Sequence, residues 1–222
     1  MDPHRGWHGK WMFCLGVSAI AIVLSCWPDG LACFRYERTA LLSGKVWRIM
    51  TAHFVHMNAT HLAFNVLGMF LLCELLWGDM PVVHGLGLFG MAALAVSALL
   101  WWLQPELAWY AGLSGALHGL WAGCAVAGSW PGKKHSGALP LTPPQSKWQF
   151  LLTAWPLARC ICFAGLMLIV MKLAVEFQSG VALRTAPWIG GSVVTVAHLY
   201  GALAGIVYVL LWRVAQEARG KT

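Results

Sequence analysis

Long apolar runs separated by shorter polar segments dominate the pattern along the chain. A transmembrane α-helix needs about 20 mostly apolar residues, and six runs approach that length. The first run follows "HRGWHGK" and resembles a signal peptide, but no clean cleavage site follows it, so we interpret it as a helix. We predict six membrane-spanning helices in one all-α integral membrane domain, residues 1–222: 11–27, 58–77, 82–103, 109–129, 149–171 and 190–212.

The segments between these helices differ in length. Residues 28–53 form a long first loop, whereas residues 78–81 and 104–109 are tight turns. Residues 130–148 are rich in proline and glycine and predict a flexible loop rather than a linker between domains.

The composition agrees with a membrane protein. Hydrophobic residues make up 59% of the chain and charged residues 10%, whereas a typical soluble domain has about 25% charged residues. Basic loops that meet anionic headgroups explain the net charge of +7, so the expected partner is the lipid bilayer and not nucleic acid. Lys and Arg favour the side of the amino terminus by eight to six, which predicts that both termini are cytoplasmic.

Cysteine usage leaves one alternative open. The seven cysteines form no zinc-type pair of CxxC motifs. Most lie within apolar runs, where cysteine behaves as a small hydrophobe. Cys26 and Cys33 flank one loop and could pair if that loop faces an oxidising compartment.

Several polar side chains fall within the helical segments, where they are costly and usually face the interior of a bundle. A lone serine there indicates little, because its hydroxyl can bond the carbonyl one turn back. The informative residues are His56, Asn58, His61, Asn65, Glu74, Ser114, His118 and His198.

Small residues recur every four positions on the helices that carry Ser114 and His198. Such ridges let two backbones approach closely in lipid. If the ridges face each other, Ser114 and His198 meet at the seam, and a hydroxyl bonded to an imidazole is the minimum unit of an activated serine nucleophile. The ridges are Gly115, Gly119 and Gly123 on the fourth helix and Ala197, Gly201 and Gly205 on the sixth.

The second helix offers donors for an oxyanion hole. His61 and Asn65 lie four residues apart and project from one face. Their side chains, with the backbone N–H of Ser114, suit the oxyanion that forms when an amide carbonyl is attacked. The alternative is that His61 and Asn65 only join helices through hydrogen bonds.

Other chemistries have less support. "GLSGA" ends in alanine, and no predicted strand precedes it, unlike the G-x-S-x-G elbow of soluble hydrolases. Asp29 and Asp79 fall in loops, which leaves no pair for an aspartyl protease. A metal site at His53, His56 and His61 is conceivable, but the HExxH motif is absent, so we expect no metal and no cofactor.

The chain resembles the rhomboid family of intramembrane serine proteases over most of its length, residues 47–212. The resemblance rests on three segments in order: "WRIMTAHFVH" leading into "HLAFN" (His61 to Asn65), "GLSG" (Gly112 to Gly115) and "AHLYGALAG" (Ala197 to Gly205). It implies a six-transmembrane-helix, rhomboid-like bundle with the first loop partly in the outer leaflet. Arg48 would tie that loop to the scaffold.

The resemblance also assigns roles. It implies that Ser114 is the nucleophile and His198 the general base. The oxyanion hole would comprise Asn65, His61 and the Ser114 amide. Candidate supporting residues are His118, Gly112 and Gly115.

Within this family, the short chain and "GLSGALHGL", with His118 four residues after the serine, most resemble the rhombosortase branch. Such enzymes process exported bacterial proteins with a carboxy-terminal tail of a Gly-Gly motif, a hydrophobic helix and basic residues. The resemblance implies membrane-anchored substrates of this kind and a bacterial inner membrane location. Glu74 departs from the pattern, since it lies nearer to Asn65 than in better-known bacterial members.

The expected chemistry is acyl transfer by a Ser114–His198 dyad, since no aspartate is positioned to orient His198. His118 is an alternative base, one turn deeper on the helix of Ser114. We favour His198, because a substrate needs a cleft between helices, and expect His118 to pack or hold a water below the site. The fifth helix would act as a mobile substrate gate.

Two other functions remain open. One is a catalytically inactive relative that binds membrane proteins or acts as a chaperone; the presence of both Ser114 and His198 argues against it. The other is a transporter, which needs broken helices or paired charges at the midplane. Glu74 alone comes near that requirement.

Overall fold

The computed structural model describes residues 3–78, 80–130, 155–179, 188, 190 and 193–219. Its elements, in chain order, are α1 (Pro3–Cys26), α2 (Gly30–Phe34), β1 (Tyr36–Glu37), α3 (Arg38–Leu42), α4 (Arg48–Thr51), a 3-10 turn (Ala52–Phe54), α5 (Ala59–Leu76), α6 (Val82–Leu103), β2 (Trp109–Tyr110), α7 (Ser114–Ser129), α8 (Trp155–Ser179) and α9 (Thr195–Arg219). The predicted all-α membrane fold is confirmed.

Five stretches within these helices are long and apolar enough to cross a membrane. They are His8–Cys26, Ala59–Leu76, Val82–Leu103, Arg159–Gln178 and Thr195–Arg219. The predicted fourth span corresponds to α7, which has only 16 residues. The count of six spans therefore stays a prediction.

The predicted start of the fourth helix at residue 109 is wrong. Trp109 and Tyr110 instead pair with β1 as an antiparallel ribbon, and Gly112 then takes a φ of 122°, which only glycine adopts readily. This turn ends the extended segment and makes Ser114 the first residue of α7.

The other helix ends also differ from the predicted ones. The first helix begins at Pro3, and the sixth runs from Thr195 to Arg219, because helices continue past their apolar spans into polar residues. The fifth ends at Ser179 and not at residue 171. Lys172, the residue after the predicted end of that helix, therefore lies on α8, where it forms an i,i+4 ion pair with Glu176.

Some predicted features lie outside the described residues. They include nearly all of the loop 130–148, residues 149–154 of the predicted fifth helix, and the loop lysines Lys133 and Lys134. The extent of the domain over residues 1–222 stays a prediction for the same reason.

The first loop is held by three arginines. Arg48 donates to Glu37 Oε2 at 3.1 Å and to the carbonyl of Arg35, so it closes the loop on itself. The hydrogen bond from Arg35 and the charges of both arginines hold the pKa of Glu37 below its usual value. The link to the bundle comes from Arg38, which donates to the carbonyl of Trp101 on α6 at 2.6 Å.

The helix α7 lies at the centre of the bundle, in contact with α5, α6, α8 and α9. Nearly every residue from Gly115 to Ala125 is buried. Large apolar side chains on the outer helices are exposed instead, as expected for surfaces that face lipid: Leu15, Leu86, Met167 and Leu211 are examples.

Cys26 and Cys33 are both free thiols.

Candidate active site

The small-residue ridges of α7 and α9 face each other, as predicted. A Cβ atom added to Gly201 would collide with the backbone carbonyl of Gly115, and one added to Gly205 would collide with that of Gly119. The two backbones are therefore in direct contact. This contact sets the distance between the first turns of the two helices, which carry Ser114 and His198.

Ser114 and His198 are hydrogen-bonded at this seam. The distance from Ser114 Oγ to His198 Nε2 is 3.0 Å, within the reach required of a nucleophile and its base. Ser114 is the first residue of α7, so its backbone N–H has no carbonyl one turn back in the helix and is available as a donor.

A carboxylate occupies the other side of the His198 ring. Glu176 Oε2 lies 2.8 Å from His198 Nδ1, and Glu176 Oε1 accepts from Lys172 Nζ at 2.5 Å. The predicted dyad rested on the lack of a suitably placed aspartate, and Glu176 was not among the predicted site residues. The signal was present, because Lys172 and Glu176 are opposite charges four residues apart beside an apolar run.

His118 contacts both the His198 ring and the Ser114 backbone. Its ring stacks on the His198 ring with centroids 4.0 Å apart and an interplanar angle of 11°. Its Nδ1 donates to the backbone carbonyl of Ser114 at 2.7 Å. His118 therefore packs beneath the site, as we expected, and its Nδ1 is committed to the serine's carbonyl.

His61 and Asn65 form the facing wall of the site. Both side chains are buried, and they line one cavity together with Ser114, His118 and His198. Asn65 Nδ2 donates to the carbonyl of His61 at 2.9 Å, which leaves its second N–H free to bind another acceptor. Among the described residues, His61 Nδ1 has no hydrogen-bond partner.

Asn58 and Gly112 position His61. The side chain of Asn58 caps α5 by accepting from the His61 backbone N–H at 2.8 Å. A Cβ atom on Gly112 would lie 2.8 Å from His61 Cε1. Glycine at position 112 thus permits both the turn before Ser114 and the close approach of the imidazole.

His56 holds the backbone just before the serine. Burial, with a smaller contribution from His61, lowers the pKa of His56 to about 3, so its ring is neutral at pH 7. Its Nε2 accepts from the Leu113 N–H at 3.4 Å, and its Nδ1 faces Ser25 Oγ at 3.2 Å. The arrangement fixes the segment that leads into α7.

The three histidines considered for a metal do not converge. His53 Nε2 lies 3.1 Å from Ser97 Oγ on α6, away from the partners of His56, and burial lowers the pKa of His53 to about 4. Within the described part of the chain, no group of three or more His, Cys, Asp or Glu could hold a metal ion.

Glu74 lies away from the site. It accepts from Lys10 Nζ at 2.8 Å and so joins α5 to α1, nine residues beyond Asn65. This ion pair gives Glu74 a structural role in joining two helices.

Two cavities meet at Ser114. The larger, about 680 Å³, is an apolar groove between α5 and α8 that ends at Ser114 and His198. The smaller, about 500 Å³, approaches from the side of β2 and is lined by Ala108, Ala111 and Gly190, among others. Ser114, His61 and Val193 line both cavities.

Comparison with known proteins agrees with this geometry. The Rhomboid domain model matches residues 43–214, which is most of the 222-residue chain. No curated protein matches the chain at a significant level. The matched region contains Ser114, His198, Asn65 and His61. The chain therefore belongs to the rhomboid family of intramembrane serine proteases.

Proposed function

We propose that this chain is an active intramembrane serine endopeptidase in which Ser114 is the nucleophile and His198 the general base. The observation that carries the proposal is the 3.0 Å hydrogen bond between Ser114 Oγ and His198 Nε2 at the inner end of an apolar groove. A catalytically inactive binder would not require this hydrogen-bonded pair, and the chain has both Ser114 and His198.

The reaction follows from the roles of these groups. His198 Nε2 takes the proton of Ser114 Oγ as that oxygen bonds to the substrate carbonyl carbon. The carbonyl oxygen becomes an oxyanion, which the Ser114 N–H, Asn65 and His61 stabilise. The His198 imidazolium then protonates the leaving amine, and the C–N bond breaks. Water, activated by His198 in turn, hydrolyses the acyl-enzyme and regenerates the serine.

The groove supports a membrane-anchored substrate. Its wall is largely apolar, with Leu71, Leu75 and Leu168 along α5 and α8, and it suits the hydrophobic helix of an anchored protein. The smaller cavity also reaches Ser114 and would receive the segment of the substrate next to that helix. We propose that the natural substrates carry a carboxy-terminal Gly-Gly motif, a hydrophobic helix and a basic tail, as rhombosortase substrates do.

The proposal includes a location. The protein would lie in the bacterial inner membrane with both termini cytoplasmic, as the Lys and Arg bias predicts. Ser114 begins α7, His198 lies in the first turn of α9 and Glu176 in the last turn of α8. These three residues share one end of the bundle, and we place that end at the outer face, where exported proteins would meet it.

Co-expression with a tagged single-span protein tests this function. We expect cleavage of a substrate whose tail contains Gly-Gly and no cleavage when Ser114→Ala replaces the enzyme. A second substrate with Val-Val in place of Gly-Gly should stay intact. Cleavage of both substrates would support protease activity but contradict the proposed specificity for the Gly-Gly motif. A folded enzyme that cleaves neither substrate, nor any other single-span protein tested, would favour the binder.

A further inference from the structure

Glu176 lies at the second ring nitrogen of the base. Its side chain is 3% exposed, against 25% for that of Lys172, so the carboxylate points into the bundle. The two carboxylate oxygens have different partners: Oε1 accepts from Lys172 and Oε2 from His198 Nδ1. An ion pair that served only to neutralise Lys172 would not require the second contact.

We propose that Glu176 is the positioning residue for His198, so that the site works as a Ser114–His198–Glu176 triad; this inference rests on the proposed function. A carboxylate at Nδ1 keeps the proton on that nitrogen. The lone pair of Nε2 is then directed at Ser114 Oγ, 3.0 Å away, which is the tautomer a general base requires.

The same contact favours the intermediate state. When Ser114 attacks, His198 gains a proton and becomes an imidazolium, and the negative charge of Glu176 stabilises it. His118 stacks on the face of the His198 ring and so limits the tilt of the imidazole. The hydrogen bond of Glu176 to Nδ1 limits rotation of the ring within its own plane.

The ion pair with Lys172 offsets the free-energy cost of an ionised Glu176 within a membrane helix. An ionised side chain in lipid is costly and is found paired or beside a cavity. Lys172 is four residues before Glu176 on α8 and lines the groove, so its ammonium remains closer to solvent. Its Nζ lies 3.3 Å from His198 Nδ1 because both groups donate to the same carboxylate.

The labelling rate of Ser114 by a fluorophosphonate in detergent tests the proposal. Glu176→Gln keeps size and shape but removes the charge. We expect its maximal labelling rate to fall by up to about 10⁴-fold, the loss seen when the aspartate of a serine-protease triad becomes asparagine. The fluorophosphonate concentration at half-maximal rate should not change. The matched control is Glu74→Gln, which removes a membrane carboxylate from the Lys10 pair and should label at the wild-type rate.

A double variant separates positioning from charge neutralisation. Lys172→Met with Glu176→Gln removes both charges, and so leaves no unpaired ammonium to disturb folding. We expect it to label as slowly as Glu176→Gln. Recovery of the wild-type rate in the double variant would show that Glu176 only neutralises Lys172, and would overturn the proposal.

Labelling of the wild-type protein distinguishes the triad from the proposed protease function. If Ser114 is labelled equally fast in the wild type and in Glu176→Gln, the protease proposal stands and the triad is rejected. An unlabelled but folded wild type would reject the proposed function itself, and the triad with it. A proton spectrum gives an independent readout: a downfield Nδ1–H resonance should be present in the wild type and lost in both Glu176→Gln and His198→Ala.

Discussion

The seam between α7 and α9 and the groove between α5 and α8 both reach Ser114, yet they are built in opposite ways. At the seam, glycine carbonyls of one helix lie against glycines of the other. In the groove, a cavity of about 680 Å³ separates the helices. In the proposed function, the tight side fixes the distance between Ser114 and His198, and the open side leaves room for a substrate.

Two glycines illustrate the difference. A Cβ atom on Gly201, at the seam, would collide with the Gly115 backbone, whereas one on Gly68, in the groove, would meet nothing within 4 Å. The same substitution should therefore damage the fold at one site and only narrow a cavity at the other.

The largest effect is expected for Gly201→Ala. The added methyl forces α9 away from α7, and overpacking of this kind costs about 1–3 kcal/mol. A shift of about 1 Å between Ser114 and His198 would lower activity by roughly 10²-fold. Thermal unfolding and cleavage rates in detergent measure both effects. The control is Gly90→Ala on α6, where a Cβ atom meets nothing within 4 Å; equal behaviour of the two variants would refute the seam as the positioning contact.

Asn65→Ala tests the wall of the groove that faces the catalytic pair. We expect turnover to fall by about 10- to 10³-fold with little loss of stability, as for the loss of one oxyanion donor. Asn58→Ala on the same helix is a comparison for stability, because it removes the cap that holds the His61 backbone and should cost about 1 kcal/mol. If both variants lose stability and neither loses turnover, Asn65 only joins helices.

Gly68→Leu tests whether the groove receives the substrate. The larger side chain fills part of the cavity without touching Ser114 or His198. We expect KM for a membrane-anchored substrate to rise by at least about tenfold, because a misfit of even one methylene in an apolar pocket changes specificity by about 10- to 200-fold. Labelling of Ser114 by a small fluorophosphonate should not change. An unaltered KM would mean that the substrate enters elsewhere.

The smallest effect is expected for His118→Ala. This change removes the ring that stacks on His198 and one hydrogen bond to the Ser114 carbonyl. Because an aromatic pair contributes about 0.5–1.5 kcal/mol, cleavage should slow by about two- to twelvefold. A folded but inactive His118→Ala, together with active His198→Ala, would reverse the assignment of the base.

Local patterns in the sequence predicted much of this arrangement. The spacing of Gly115 and Gly119 predicted a contact with a second small-residue ridge, because close packing in lipid depends on small residues at regular intervals. The predicted site residues His61, Asn65, Ser114, His118 and His198 all line the same cavity.

The features that the sequence did not predict depend on contacts between residues far apart in the chain. The start of α7 depends on the pairing of Tyr110 with Tyr36. These residues are 74 positions apart in the chain, and a helical periodicity does not predict a contact at that separation. Glu176 was missed because the apolar run stops at Lys172, while the helix continues. Only the folded bundle brings the last turn of α8 to the first turn of α9.

The covalent adduct of a fluorophosphonate with the purified protein tests the central claim most directly. Intact-mass analysis followed by peptide mapping should find one adduct, on the peptide that contains Ser114. Ser114→Ala and His198→Ala should each remain unmodified while unfolding at temperatures close to that of the wild type. An adduct that persists in Ser114→Ala, or one that forms equally fast in His198→Ala, would contradict the account.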